Sequence, residues 1–171
     1  MNESIKEQLE LTFKAVVVTI PEEARMVVNI QKDQVLAVLR FLKDRRFDHL
    51  ALVSCVDWIE EKEFELVYIL NRYIQTDQEH TAKEDLHLIA KARISREKPQ
   101  FETVTGIFPN AEPYEREIHE LFGIKFEGHK RLTPLLLERD YEIPPFRKNF
   151  DTRKYVKDVF DKIPFVDDKD K

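Results

Sequence analysis

Three stretches of this chain carry apolar residues at spacings that extended backbone satisfies, and they restrict the fold more than any other feature. Leu50 to Val56 is a continuous apolar run. Phe64 to Tyr73 places Phe64, Leu66, Tyr68 and Leu70 on one face, and Leu86, Leu88, Ala90, Ala92 and Ile94 repeat that alternation. Successive side chains of a strand point to opposite faces, so the last two runs each present one apolar face to a core. The charged link Glu60 to Glu63 predicts that the first two strands form an antiparallel pair, and Gln75 to Glu84 reads as a polar loop before the third. Arg25 to Ile30 reads as a further strand. Asp33 stands where it would cap a helix running to about Lys43, with Val35, Leu36, Leu39 and Leu42 inward, and residues 3–12 read as a first helix with Ile5 and Leu9 inward.

A last helix is predicted from Ala111 to Phe122. Ala111, Tyr114, Ile118, Leu121 and Phe122 fall at helical spacing, Asn110 is placed as its N-cap, and Gly123 stands where a left-handed C-terminal cap belongs. Its other face carries Glu112, Arg116 and Glu120 in register for ion pairs one turn apart, and Glu115 precedes His119 by four positions. The order of elements predicts an α+β fold: one two-layer domain over residues 1–130, with a mixed or antiparallel sheet against helices. A chain of 171 residues is long enough for one such core. Beyond it, Pro134, Pro144, Pro145 and Pro164 break regular structure while Tyr141, Phe146, Phe150, Tyr155, Phe160 and Phe165 recur. Residues 131–171 therefore read as an extended C-terminal docking arm that orders on another subunit, with Asp167 to Lys171 disordered.

Composition narrows the chemistry. Charged residues make up 36% of the chain, above the roughly 25% typical of soluble domains, but the formal net charge of −5 supplies no basic excess for nucleic acid. Cys55 is the single cysteine, so no internal disulfide or multi-cysteine metal site can form, and its apolar surroundings read as a buried structural thiol. No apolar run approaches the roughly 20 residues of a membrane span and Asn2-Glu3-Ser4 carries no signal-peptide pattern, so membrane attachment is expected to be indirect. The three glycines, Gly106, Gly123 and Gly128, cannot spell a dinucleotide or P-loop phosphate cradle. Few glycines, two methionines and abundant Lys and Glu resemble hyperthermophile composition. Glu115, Glu117, His119 and His129 offer no His-Glu-x-x-His or related metal spacing; the two carboxylates are expected to pair with Arg116 or with a partner's cation.

The order Glu115-Arg116-Glu117-x-x-x-Leu121-Phe122-Gly123-Ile124-x-Phe126-x-Gly128-His129 resembles the signature of the NADH dehydrogenase C-subunit family. The family comprises a hydrophilic subunit of respiratory complex I and its counterparts in membrane-bound energy-converting [NiFe] hydrogenases. The likeness extends through Thr103 to Ala111 upstream and through Arg131-Leu132, Leu135-Leu136 and Pro145-Phe146-Arg147-Lys148 downstream, while residues 24–95 agree only in the order of elements. The resemblance implies a scaffold without cofactors of its own, on the cytoplasmic side of the membrane. It would sit beside a [NiFe]-hydrogenase-like or quinone-site large subunit and an iron–sulfur subunit, and would reach the membrane subunits indirectly. The iron–sulfur clusters and the nickel–iron centre or quinone would belong to those partners. Matched onto this sequence, Glu115, Glu117, His129, Arg131, Arg147 and Lys148 are expected at partner interfaces, and Phe122, Gly123, Phe126 and Gly128 as structural motif positions. Departures at His129-Lys130-Arg131, at Tyr141 to Lys148 and at Pro113 favour a hydrogenase-type or related archaeal complex over a standard NADH:quinone complex. Other readings are the equivalent component of complex I, a stand-alone acid–base enzyme using the Glu115–His119 face, and a free-standing adaptor.

Overall fold

The alternating runs form a single sheet. In chain order, α1 (Asn2–Thr12) precedes a hairpin of β1 (Val17–Glu22) and β2 (Arg25–Ile30), and α2 (Val35–Lys43) leads into β3 (His49–Trp58), β4 (Glu63–Arg72) and β5 (Leu86–Ser95). Short β6 (Gln100–Glu102), α3 (Glu112–Phe122), β7 (Lys125–Glu127) and α4 (Thr152–Val159) follow. The computed structural model describes residues 2–22, 24–72, 86–137 and 141–159. The polar loop expected at Gln75 to Glu84 and the tail at Asp167 to Lys171 lie outside them.

The sheet order is β1-β2-β5-β4-β3. β3, β4 and β5 form an antiparallel meander, with Lys62 taking a positive φ of 57° in the turn between the first two. β2 lies parallel to β5, so the sheet is mixed, as the α+β reading allowed. β1 was not anticipated from the sequence. Its run Val16 to Ile20 is β-branched throughout, but Pro21 follows at once, and its pairing with β2 is irregular between Thr19 and Glu22.

The period of two puts Met26, Val28 and Ile30, then Leu66, Tyr68 and Leu70, then Leu88, Ala90 and Ala92 on one buried face. Ile5 and Leu9 of α1 and Val35, Val38, Leu39 and Leu42 of α2 belong to the same core cluster. Val38 is thus fully enclosed where Leu36 was expected, and Leu36 is only partly buried. Asp33 does not cap α2: a 3₁₀ turn from Lys32 to Gln34 precedes the helix, and no side-chain cap bond forms at Gln34.

Candidate functional site

The motif helix α3 lies beside β3, and its start is set differently from the expected cap. Pro109–Ala111 forms a 3₁₀ turn that runs into the helix, and the Asn110 amide donates at 2.8 Å to the Leu50 carbonyl instead of capping. The Tyr114 hydroxyl donates to the Ala51 carbonyl at 3.0 Å, so α3 and the turn before it are hydrogen-bonded to the backbone of β3 at two successive residues. The helix ends as predicted, with Gly123 left-handed at φ 73°. There the glycine has a second role, because a Cβ would stand 2.9 Å from both Arg147 Nη2 and Pro144 Cγ. Gly128, also at positive φ, follows β7 with Thr103 packed against it.

β6 and β7 pair in parallel, with buried Phe101 opposite buried Phe126. This brings Thr103 and Val104 against α3, where they meet Glu115. The expectation that Glu115 pairs with Arg116 or a partner cation is corrected here: its side chain is fully enclosed and faces the chain's own backbone. It accepts hydrogen bonds from Thr103 Oγ1 at 2.5 Å and from the Val104 N–H at 2.7 Å. Burial pushes its carboxyl up to about 7, with the Thr103 and Val104 bonds opposing the rise and the Glu112 charge adding to it. Helical periodicity had put Glu115 on the polar face, but four residues separate it from Ala111 and three from Ile118, both of which point inward.

The rest of the polar face holds the chain's own C-terminal segment. Arg116 pairs with Glu112 at 3.4 Å, as spaced, and also donates to the carbonyls of Thr133 at 3.0 Å and Pro134 at 2.9 Å. Glu120 makes no ion pair with Arg116. It accepts the backbone N–H groups of Leu135 at 2.7 Å, Leu136 at 3.0 Å and Leu137. Burial alone would raise its carboxyl, but those three donors and the Arg116 charge outweigh it and hold the group below its usual range. His119 donates Nδ1–H to the Ile124 carbonyl at 2.9 Å, closing the helix end.

A second clasp lies at the end of β3. Asp57 is 4% exposed, and the Arg96 guanidinium meets it twice, Nε at 2.8 Å and Nη2 at 3.2 Å. The Lys148 N–H adds a third bond at 2.9 Å. Burial raises the Asp57 carboxyl, yet the Arg96 fork, the Lys148 N–H and both positive charges leave it below the usual range. Arg147 donates Nε–H to the Phe122 carbonyl at 2.7 Å, so the fork expected to reach a partner satisfies this chain's own helix terminus. Phe122 stands edge-on to core Phe64 at 6.0 Å and to Phe146 at 5.8 Å, linking core and returning segment. Tyr141, Phe150 and Tyr155 form a small aromatic cluster, with Tyr155 carried by α4, a helix not expected from the sequence. The segment read as a docking arm is fastened in part to its own domain.

Among the expected contact residues, Arg131 and Lys148 are exposed and Glu117 and His129 half-buried. His129 Nε2–H points to the Glu112 carbonyl at 3.4 Å, while its Nδ1 accepts the Arg131 N–H. Asp57 and Arg96 were missed, and Glu120, expected in an ion pair, holds backbone N–H groups instead. The signal for Asp57 was present, since a carboxylate continues the inward alternation of Val53 and Cys55. The Cys55 thiol is buried, and burial first, then the Asp57 and Glu65 carboxylates, push it up, which keeps it an inert thiol. Among the described residues, no three His, Cys, Asp or Glu side chains gather to hold a metal ion, and no helix is long and apolar enough to cross a membrane.

Comparison with known proteins points to one group. The family model described as the respiratory-chain NADH dehydrogenase 30 kDa subunit matches residues 28–156. The C subunit of the F(420)H(2) dehydrogenase of Methanosarcina mazei is 37% identical over 129 residues, covering 74% of this chain and 76% of that protein. The C subunit of the NADH-quinone oxidoreductase of Salinispora arenicola is 28% identical over 153 residues, 86% of this chain and 59% of its own longer length. Among solved structures, a chain of the membrane-bound sulfane sulfur reductase, an archaeal respiratory membrane complex, superimposes with a TM-score of 0.81 at 32% identity, covering 99% of this chain and 97% of that one.

Proposed function

The chain belongs to the family of the respiratory-chain NADH dehydrogenase 30 kDa subunit, and on that premise we propose that it is a non-catalytic peripheral subunit of a membrane-bound, ion-translocating redox complex of the energy-converting hydrogenase type. In this role it scaffolds a [NiFe]-hydrogenase-like large subunit on the cytoplasmic side of the membrane. It lies next to an iron–sulfur subunit and reaches the membrane subunits through them. The iron–sulfur clusters and the nickel–iron centre are held by those partners.

The observation that carries this reading is the end-to-end likeness to a chain of an archaeal respiratory membrane complex, over 99% of one and 97% of the other. The geometry of α3 supports a scaffold: Glu115, Arg116 and Glu120 each hydrogen-bond the chain's own backbone. The contact surface then falls to Glu117, His129, Arg131 and Lys148, while Glu115 and Arg147 serve internal structure. A second reading is favoured by the name of the same structural neighbour, in which the supported chemistry is reduction of sulfane sulfur. The equivalent component of complex I is the third, supported by the NADH-quinone relatives.

Affinity purification of the tagged chain from native membranes tests the assignment. Recovery with a hydrogenase-like large subunit, an iron–sulfur subunit and membrane subunits is expected, and assays for hydrogen evolution, sulfane-sulfur reduction and quinone reduction separate the three readings. Recovery of the chain alone would overturn them together.

A further inference from the structure

The two edges of the sheet are treated very differently by this chain. β1, at one edge, is short, carries Pro21 and an irregular pairing, and its Val18 N–H is met by the Glu10 carboxylate of α1 at 3.4 Å. Those are the devices by which soluble proteins stop an edge strand from pairing further. β3, at the other edge, is ten residues long, and its own irregularity of pairing, between Leu50 and Leu52, falls at the upstream end. Its upstream end is covered, with Asn110 on the Leu50 carbonyl and Tyr114 on the Ala51 carbonyl. From Leu52 to Val56 the cover stops. Among the described residues no loop or other strand hydrogen-bonds that stretch on its outer side, and it contains no proline and no charge.

The surroundings of this bare edge have a definite character. A groove of about 240 Å³ runs between it and α3, floored by Ile118 and Leu121 and walled by Phe146. Leu52 is 38% exposed, Val56 37% and Phe146 59%, which is high for large apolar side chains grouped at one edge. The one charged group in the groove is Glu117, whose carboxylate meets no cation among the described residues. An apolar strand edge beside an apolar groove with one unneutralised carboxylate is complementary to an extended, apolar, basic segment.

We propose that the outer edge of β3 from Leu52 to Val56 is completed by an extended segment of a partner subunit, which adds as a sixth strand with alternate apolar side chains in the groove and a basic residue against Glu117. The inference rests on the assignment of this chain as an assembly subunit and deepens it, because it names where and by what chemistry one partner is held. Main-chain hydrogen bonds supply the attachment, and the groove and Glu117 set the register.

Hydrogen exchange at single-amide resolution tests it, comparing the purified full chain with the intact complex. Alternate amides between Leu52 and Val56 are expected to exchange fast in the isolated chain and at least tenfold more slowly in the complex. Glu117→Lys is expected to lower recovery of the partner severalfold, and Glu117→Gln to lower it less and to weaken its salt dependence. If partners copurify but those amides exchange at the same rate free and bound, the edge is not augmented, although the assembly assignment stands. Protection already present in the isolated chain would place a second copy (if the chain is dimeric) or the chain's own terminus (if monomeric) on the edge, and would overturn a partner strand. Failure of any partner to copurify removes both the assignment and the inference, and is distinguished from the other outcomes by that fact.

Discussion

Glu115 makes the stability of this subunit depend on pH in a window where most carboxylates have finished titrating. Its carboxyl is raised from an ordinary 4.5 to about 7 by burial. A group raised in the folded state binds its proton more tightly there than in the unfolded chain. Its contribution is therefore complete below about pH 4.5 and is lost as pH rises through about 7. At about 1.4 kcal/mol per pH unit, the difference is worth up to about 3 kcal/mol, an upper bound because the enclosed site relaxes when charged. Glu115→Gln fixes the neutral state. The amide oxygen can accept the Val104 N–H and the amide nitrogen can donate to Thr103 Oγ1, so the two contacts at 2.7 and 2.5 Å survive. Urea denaturation of wild type and variant at pH 5 and pH 8 gives the test. The variant is expected to gain about 2–3 kcal/mol on wild type between pH 5 and pH 8, because only a small part of the difference has been lost by pH 5. Asp57 and Glu120, which are lowered, act in the opposite sense and at lower pH, so they do not imitate this signal. A variant whose stability relative to wild type is the same at both pH values would refute the burial argument.

Gly123→Ala is expected to lower the thermal midpoint and release the 144–147 turn, because it combines a left-handed backbone with a 2.9 Å clash against Arg147 and Pro144; limited proteolysis near residue 147 measures the release, and an unchanged cleavage pattern would count against the clasp. Phe122→Ala should cost about 2 kcal/mol in chemical denaturation, below the roughly 3–5 for a fully enclosed ring, since Phe122 is only partly buried; no loss at all would remove it as the link between Phe64 and Phe146. Tyr68→Phe should be neutral or stabilising by about 1 kcal/mol, because the Tyr68 hydroxyl is buried without a hydrogen-bond partner among the described residues; a loss above that size would reveal a bond the hydroxyl makes.

The parts of the fold legible in the sequence are those in which one physical rule acted alone. β4 and β5 alternate because one face meets the core, and Gly123 ends α3 because left-handed backbone favours glycine. The misses come where two rules competed. Asn110 and Asp33 are good caps, but Asn110 was drawn to a strand carbonyl and Asp33 sits within a preceding turn. Glu115 has the sequence look of a surface carboxylate, and only the distant Thr103–Val104 segment, brought in by β6 and β7, makes its burial tolerable. The fastening of residues 133–137 and 147–148 by Arg116, Glu120, Asp57 and Arg147 depends on contacts far apart in the chain, which periodicity does not register.

The parallel pairing of β2 with β5 has a consequence for the order in which the chain reaches this structure. Arg25 lies opposite His87, roughly sixty residues later. The antiparallel turn between β3 and β4 closes after only a few residues, so its loop-closure entropy is small, whereas the β2 contact must wait until β5 exists. The meander is therefore expected to condense early, with the β1–β2 hairpin joining a sheet already half made. Until then β5 has a bare side of its own. The amino-terminal hairpin, though made first, is then expected to be the last to find its place.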